Sequence, residues 1–215
     1  MMGRSSTSSR EADLNLEIVG VDEWPEAVAA RWMAFLATQP GARICLPTGS
    51  TPRPMYQSFA LSGGDLRAST IFLLDEFGLP AGTAARCDEM IQRDLLDLLP
   101  HQPEAVYALD VDALDLEAEC RRYEAAVRHG GLALAMLGLG GNGHLGLNEP
   151  GSTVASPTRF VRLTDATIRS AAGYGGDAPP EWGATLGLAT ILASHEIWLL
   201  VTGTHKAEIL QRVLT

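Results

Sequence analysis

The feature that most constrains this chain is a repeated pattern in which a short apolar run stops abruptly at a loop rich in glycine and polar groups. Leu134-Ala135-Met136-Leu137 ends at Gly138 and opens into GLGGNGHLGLNEPGS, residues 138–152. Ala42 to Leu46 runs into Pro47-Thr48-Gly49-Ser50-Thr51-Pro52, and Ser69 to Leu74 delivers Asp75 and Glu76. Glu196 to Thr202 ends in Gly203-Thr204-His205-Lys206. Unbroken apolar runs of this length are what strands buried on both faces of a parallel sheet require, and ligands of such sheets sit beyond the carboxyl ends of the strands. The chemistry-bearing residues therefore converge on one edge of the predicted sheet.

Between these runs lie amphipathic stretches. Trp24 to Thr38 follows Asp22 as a predicted cap, with Pro25 in the first turn and Val28, Trp32 and Phe35 on one face. Residues 54–62, Cys87 to Leu99, Leu116 to His129 and Ala207 to Leu214 also read as helices, the second with Met90, Ile91, Leu95 and Leu98 at core spacing. Further strands are expected at Leu14 to Val21, Val106 to Leu109 and Arg159 to Leu163. Gly183 and Gly187 lie in an apolar, small-residue stretch suited to close packing, and residues 171–180 read as a breaker-rich lid or linker. The fold expected is α/β: a doubly wound, mostly parallel sheet with helices on both faces, a Rossmann-like three-layer sandwich. At 215 residues one such domain is the default, spanning 14–215 behind a polar, Ser-rich tail at 1–13 that lacks the apolar core of a signal peptide.

Charge and cysteine usage narrow the function. The formal charge is −10, which disfavours nucleic acid and anionic membranes as partners, and no apolar run is long enough to span a bilayer. An anionic ligand must therefore be held by local groups. Cys45, Cys87 and Cys120 are isolated and odd in number, so neither a disulfide framework nor a zinc site is expected, and a reducing, cytoplasmic setting fits. No cofactor is called for. Oligomeric state is left open, a homo-oligomer included.

The loop at 138–152 carries the densest chemistry. Gly140 and Gly141 let backbone N–H groups approach a ligand, His144 and Glu149 form an acid–base pair, and Asn142 and Asn148 flank them. The Thr48–Thr51 turn leads into a helix N-terminus, an arrangement that serves either as a phosphate cradle or as an ordinary capped turn. Lys206 sits at a strand end near a helix N-terminus, where a cation is unfavourable unless an anion joins it. Asp75 is placed to act on a ligand or to cap the next turn.

Four segments, LPTGSTPRPMY (46–56), LLDEFGLP (73–80), LGLGGNGHLGLNEPGS (137–152) and THKA (204–207), together resemble the glucosamine-6-phosphate deaminase/isomerase family in order and spacing. The resemblance runs from about Ile18 to the end of the chain. The related 6-phosphogluconolactonases share the fold and the Gly-His loop, but Phe77 after the acidic pair and Asn148-Glu149-Pro150 favour the deaminase branch. The resemblance implies an amino sugar 6-phosphate as substrate and a ketose 6-phosphate plus ammonia as products. It implies that His144 opens the sugar ring, Asp75 removes the C2 proton, Glu149 orients His144, and Thr48, Gly49, Ser50, Thr51 and Lys206 hold the phosphate. Asn142 stands where the family carries Asp. The family's phosphate-binding Arg falls near Ala171–Tyr174, where this chain has none, and Arg169 is the nearest substitute. The family also carries a final strand beyond the position of Thr215. Lactone hydrolysis and a non-catalytic sugar-phosphate-binding role are the alternative functions.

Overall fold

A computed structural model describes residues 14–176 and 178–214, so the expectation of a disordered tail at 1–13 lies outside the described residues. In chain order the elements are α1 (Trp24–Thr38), β1 (Arg43–Leu46), α2 (Pro52–Leu61), β2 (Thr70–Leu73), β3 (Asp75–Phe77), α3 (Cys87–Asp94), β4 (Ala105–Tyr107), α4 (Leu116–Arg128), β5 (Leu134–Gly138), β6 (Arg159–Arg162), α5 (Asp165–Ala171), β7 (Trp182–Thr185), α6 (Leu188–Ile191), β8 (Glu196–Leu200) and α7 (Ala207–Leu214).

Five strands form a parallel sheet in the order β4-β2-β1-β5-β8. The chain winds outward from β1 through β2 to β4, then returns to place β5 on the other side of β1. That reversal makes the gap between β1 and β5 the topological switch point, where the loops after the two strands diverge and leave a crevice. Strand alternation sorts the apolar residues onto two faces. Ile44, Leu46, Ile71, Leu73, Leu134 and Met136 join one core with α1 and α2, whereas Cys45, Phe72, Ala135 and Leu137 join a second core with α4 and α6. The expected three layers are thus present. On the first face Trp32 of α1 stacks on Phe59 of α2 with ring centroids 4.0 Å apart, both fully buried. Truncating either to Ala costs about 3–5 kcal/mol.

A second sheet, absent from the sequence reading, is antiparallel in the order β3-β7-β6, with Asp75 opposite Thr185 and Phe77 opposite Gly183. The apolar run at Ser69 to Leu74 therefore feeds one sheet, and the acidic pair after it belongs to another. Gly183 is required where the sheets meet the loop at 138–152: a Cβ there would lie 2.5 Å from both the Glu76 carbonyl and a Leu147 methyl. Gly187 is crowded in the same way by Pro157.

Several expectations are corrected. Leu14 to Val21, expected as a strand, forms no strand pairing among the described residues and is mostly exposed. The cap of α1 is Glu23 rather than Asp22, without a side-chain cap bond. The helix from Cys87 ends at Asp94 and passes through a 3-10 turn, which rotates Leu98 to the surface. β8 is an edge strand with Glu196 and Ile197 exposed, not a buried one. Residues 172–174 of the expected linker form a 3-10 turn whose Tyr174 packs near Phe77.

Candidate functional site

The crevice at the β1/β5 switch point is a cleft of about 270 Å³, lined by the turn after β1, by Asp75, by the glycine loop after β5, by α5 and by the segment after β8. It gathers Thr48, Ser50, Thr51, Asp75, Gly140, Gly141, His144 and Lys206 from distant parts of the chain. Two candidate residues stand behind this surface: Glu149 and Asn142 touch His144 rather than the cleft.

His144 is held from three sides. Its backbone N–H donates to the Asn142 side-chain oxygen at 3.2 Å, its Nδ1 lies 3.1 Å from the Thr167 hydroxyl, and the same nitrogen is 3.7 Å from Glu149 Oε2. Gly140 leaves the space for the ring, since a Cβ there would be 2.4 Å from Nε2. Burial pushes the imidazole pKa down, against the pull of the Glu149 charge, and Lys206 lowers it further. The ring is therefore biased to the neutral form, able to accept and return a proton. Glu149 stays ionised despite its own burial, because Thr167, the Thr164 N–H, the Asn142 amide and His144 all favour the carboxylate. The Thr164 N–H donates to Glu149 Oε1 at 3.1 Å, and Asn142 Nδ2 donates to Oε2 at 2.9 Å. Asn148, by contrast, is structural. Its Nδ2 donates to the carbonyls of Leu145 and Leu186, each at 2.9 Å, and its oxygen accepts from Arg159 at 2.8 Å.

The acidic pair divides its labour. Glu76 is fully buried and accepts the backbone N–H groups of Phe77, Cys87 and Asp88 at 2.7–2.9 Å, so it caps α3. Burial lifts its pKa to about 7. Asp75 faces the cleft instead, which removes its alternative reading as the cap. Its one protein hydrogen bond among the described residues comes from the Cys87 thiol at 3.6 Å, and burial lifts its pKa to about 6. A carboxylate without a cation or N–H partner is a stronger base than an ordinary Asp.

At the other end of the cleft the Thr48–Thr51 turn leads into α2. Pro52 and Pro54 remove two of that helix's first-turn N–H donors, and Thr51 does not cap it with its side chain. The Thr51 hydroxyl instead meets Thr202 at 3.4 Å, across the cleft mouth. Tyr56 ties the turn down by donating to the Pro47 carbonyl at 2.6 Å. Lys206 Nζ donates to the Leu139 carbonyl at 2.7 Å and forms no salt bridge among the described residues, so its charge is left for a ligand. Gly49 backs this turn, with the Tyr174 hydroxyl against it.

Arg169 is not brought to the site. It is exposed on α5 and does not line the cleft, to which the same helix contributes Thr167, Ser170 and Ala171. The sequence reading also passed over Thr167, Tyr174 and Thr202. Thr167 had one available signal: it lies three residues after Thr164, which caps α5 and accepts the Thr167 N–H at 3.4 Å. Among the described residues no cluster of His, Cys, Asp or Glu has metal-ligating geometry.

Residues 21–215 match the family described as glucosamine-6-phosphate isomerases/6-phosphogluconolactonase. A glucosamine-6-phosphate deaminase of Beutenbergia cavernae is 38% identical over 93% of this chain and 81% of its own length. The solved structure of a monomeric glucosamine-6-phosphate deaminase superposes with a TM-score of 0.86 at 31% identity, covering 93% of this chain and 86% of that one. A 6-phosphogluconolactonase of Thermotoga maritima, at 23% identity and a TM-score of 0.72 over 93% of this chain and 87% of that one, shares the fold. A parallel sheet of order β4-β2-β1-β5-β8, a cleft at its switch point and sequence similarity over nearly the whole chain place this protein in the glucosamine-6-phosphate isomerase/6-phosphogluconolactonase family.

Proposed function

We propose that this chain is a glucosamine-6-phosphate deaminase, converting an amino sugar 6-phosphate and water to a ketose 6-phosphate and ammonia. The observation that carries the reading is a buried carboxylate with raised proton affinity, Asp75, in the same cleft as a buried neutral imidazole, His144, with a cation, Lys206, lining it as well. In this reading His144 moves the proton between the ring oxygen and the C1 hydroxyl as the pyranose opens. Asp75 takes the C2 proton, the electron pair forms a C1–C2 double bond as the C1 carbonyl π pair moves to O1 and O1 takes up a proton, and return of a proton at C1 then leaves an iminium at C2. Water adds to that carbon and ammonia departs. Each transfer needs a group whose proton affinity lies near the working pH, which is what burial gives both residues.

Glu149, Asn142 and Thr167 hold His144 in position and keep its Nδ1 side occupied, so that Nε2 faces the sugar. The Thr48–Thr51 turn, Gly140, Gly141 and Lys206 hold the phosphate in this account, without help from Arg169. The similarity to curated deaminases supports this branch over lactone hydrolysis. No described helix is long and apolar enough to cross a membrane, and the three cysteines are free and buried, which supports a cytoplasmic enzyme acting on a small molecule. Parallel assays on glucosamine 6-phosphate and 6-phosphogluconolactone test the proposal. Ammonia release from the first with no acceleration of the second is expected, and the opposite pattern overturns it.

A further inference from the structure

We propose that Cys87 is a positioning residue for the Asp75 base, holding its carboxylate by one weak hydrogen bond. This inference rests on the assignment of Asp75 as base. Both acids of the pair address this one residue: Glu76 Oε1 takes the Cys87 backbone N–H at 2.7 Å, which fixes the residue at the start of α3, and the thiol so placed is 3.6 Å from Asp75 Oδ1. Cys87 is 1% exposed, and Asp75 Oδ2 has no donor among the described residues.

The choice of a thiol has a chemical consequence. A carboxylate needs a fixed direction to remove a carbon-bound proton, yet a strong donor such as an N–H or a cation would stabilise its charge and weaken it as a base. An S–H group is a weak donor, so it sets direction with little loss of basicity. The other titratable groups around Asp75 are Cys45 of β1, Tyr56 of α2, Tyr123 of α4 and Tyr174, with His144 and Lys206 across the cleft. His144 and Lys206 line the same cleft, but among the described residues neither forms an ion pair with Asp75, so the thiol is its one bonded partner there.

The test is the pH profile of kcat/KM for wild type, Cys87→Ser and Cys87→Ala, with Cys120→Ser in the distant core as a control for cysteine loss and thermal melts to confirm folding. The Ser variant, a stronger donor, is expected to move the acid limb down by about half a pH unit, and the Ala variant to move it up by a similar amount. Substrate KM is expected to change less than kcat. Superimposed acid limbs in folded variants, with Asp75→Asn inactive, overturn the role of Cys87 alone. Turnover retained in Asp75→Asn overturns the base assignment and this inference with it. A second readout needs no Cys87 variant: the infrared S–H stretch of one thiol should shift as Asp75 ionises and lose that shift in Asp75→Asn. An S–H spectrum unchanged by either treatment also overturns the proposal.

Discussion

Asn142 donates its amide hydrogen to Glu149 across 2.9 Å while its oxygen accepts the His144 N–H, so one carboxamide joins the two ends of the acid–base relay. An Asp in its place would turn a donor toward Glu149 into a second carboxylate. Either the pair would share a proton or the two charges would repel, and in both cases the added negative charge beside His144 favours the imidazolium. Asn142→Asp should therefore raise the His144 pKa, seen as a higher midpoint when the ring protons are titrated by NMR. An unchanged midpoint would count against this picture of the relay.

Thr167 holds the ring itself at Nδ1, its hydroxyl 3.1 Å away. Thr167→Val keeps the volume and deletes the bond. A lost hydrogen bond of ~1–1.5 kcal/mol corresponds to a roughly tenfold fall in kcat with little change in KM. Steady-state kinetics decide it, and an equal rise in KM would assign Thr167 to substrate binding instead.

Lys206 and Arg169 separate cleanly. Lys206 lines the cleft and Arg169 lies exposed outside it. Lys206→Ala should raise KM by about tenfold or more and weaken competitive inhibition by inorganic phosphate, the loss of a charged hydrogen bond of about 1.5–3 kcal/mol. Arg169→Ala should leave both within about twofold, as exposed substitutions away from such features do.

Gly140→Ala tests the seat of the imidazole. The new methyl would fall 2.4 Å from His144 Nε2, so the ring must leave its place. A roughly 100-fold fall in kcat is expected, the scale of a lost general acid–base group. The thermal melt should show the chain still folded, since Gly140 is partly exposed in a loop.

Asp75 should also cost the fold stability. Burial raises its pKa from 3.8 to about 6, so the folded protein holds this proton more tightly than the unfolded chain. The resulting stabilisation is complete below pH 3.8 and is lost as pH rises through 6, a difference on the order of 3 kcal/mol. Asp75→Asn should accordingly melt higher than wild type at pH 8, with the gain gone near pH 4. Equal melting at both pH values would show that the carboxylate is not under this strain.

The sequence alone located both ends of the cleft, because apolar runs such as Leu134–Leu137 and Ala42–Leu46 mark strands by composition and the residues after them must lie at the sheet's carboxyl edge. What it missed depends on partners remote in the chain. The three residues of β3 include Glu76, whose burial makes sense only with the Cys87 and Asp88 N–H groups in place. Leu14 to Val21 has the alternation of a strand without a neighbour to pair with. Arg169 was chosen for its distance along the chain from the expected arginine, but the expected position falls beyond the end of α5, in a 3-10 turn, and Arg169 itself lies exposed outside the cleft. Tyr174 reaches the turn at Gly49 from the segment where that arginine was sought, through a 3-10 turn that no periodicity announced.

The central claim, that Asp75 removes the C2 proton of an amino sugar phosphate, is tested most directly by ammonia release from glucosamine 6-phosphate with wild type and Asp75→Asn, alongside calorimetric binding of the same sugar phosphate. The account predicts turnover by wild type and a loss of at least ~100-fold in the variant, which still binds the ligand. Ammonia release by Asp75→Asn at the wild-type rate would contradict it.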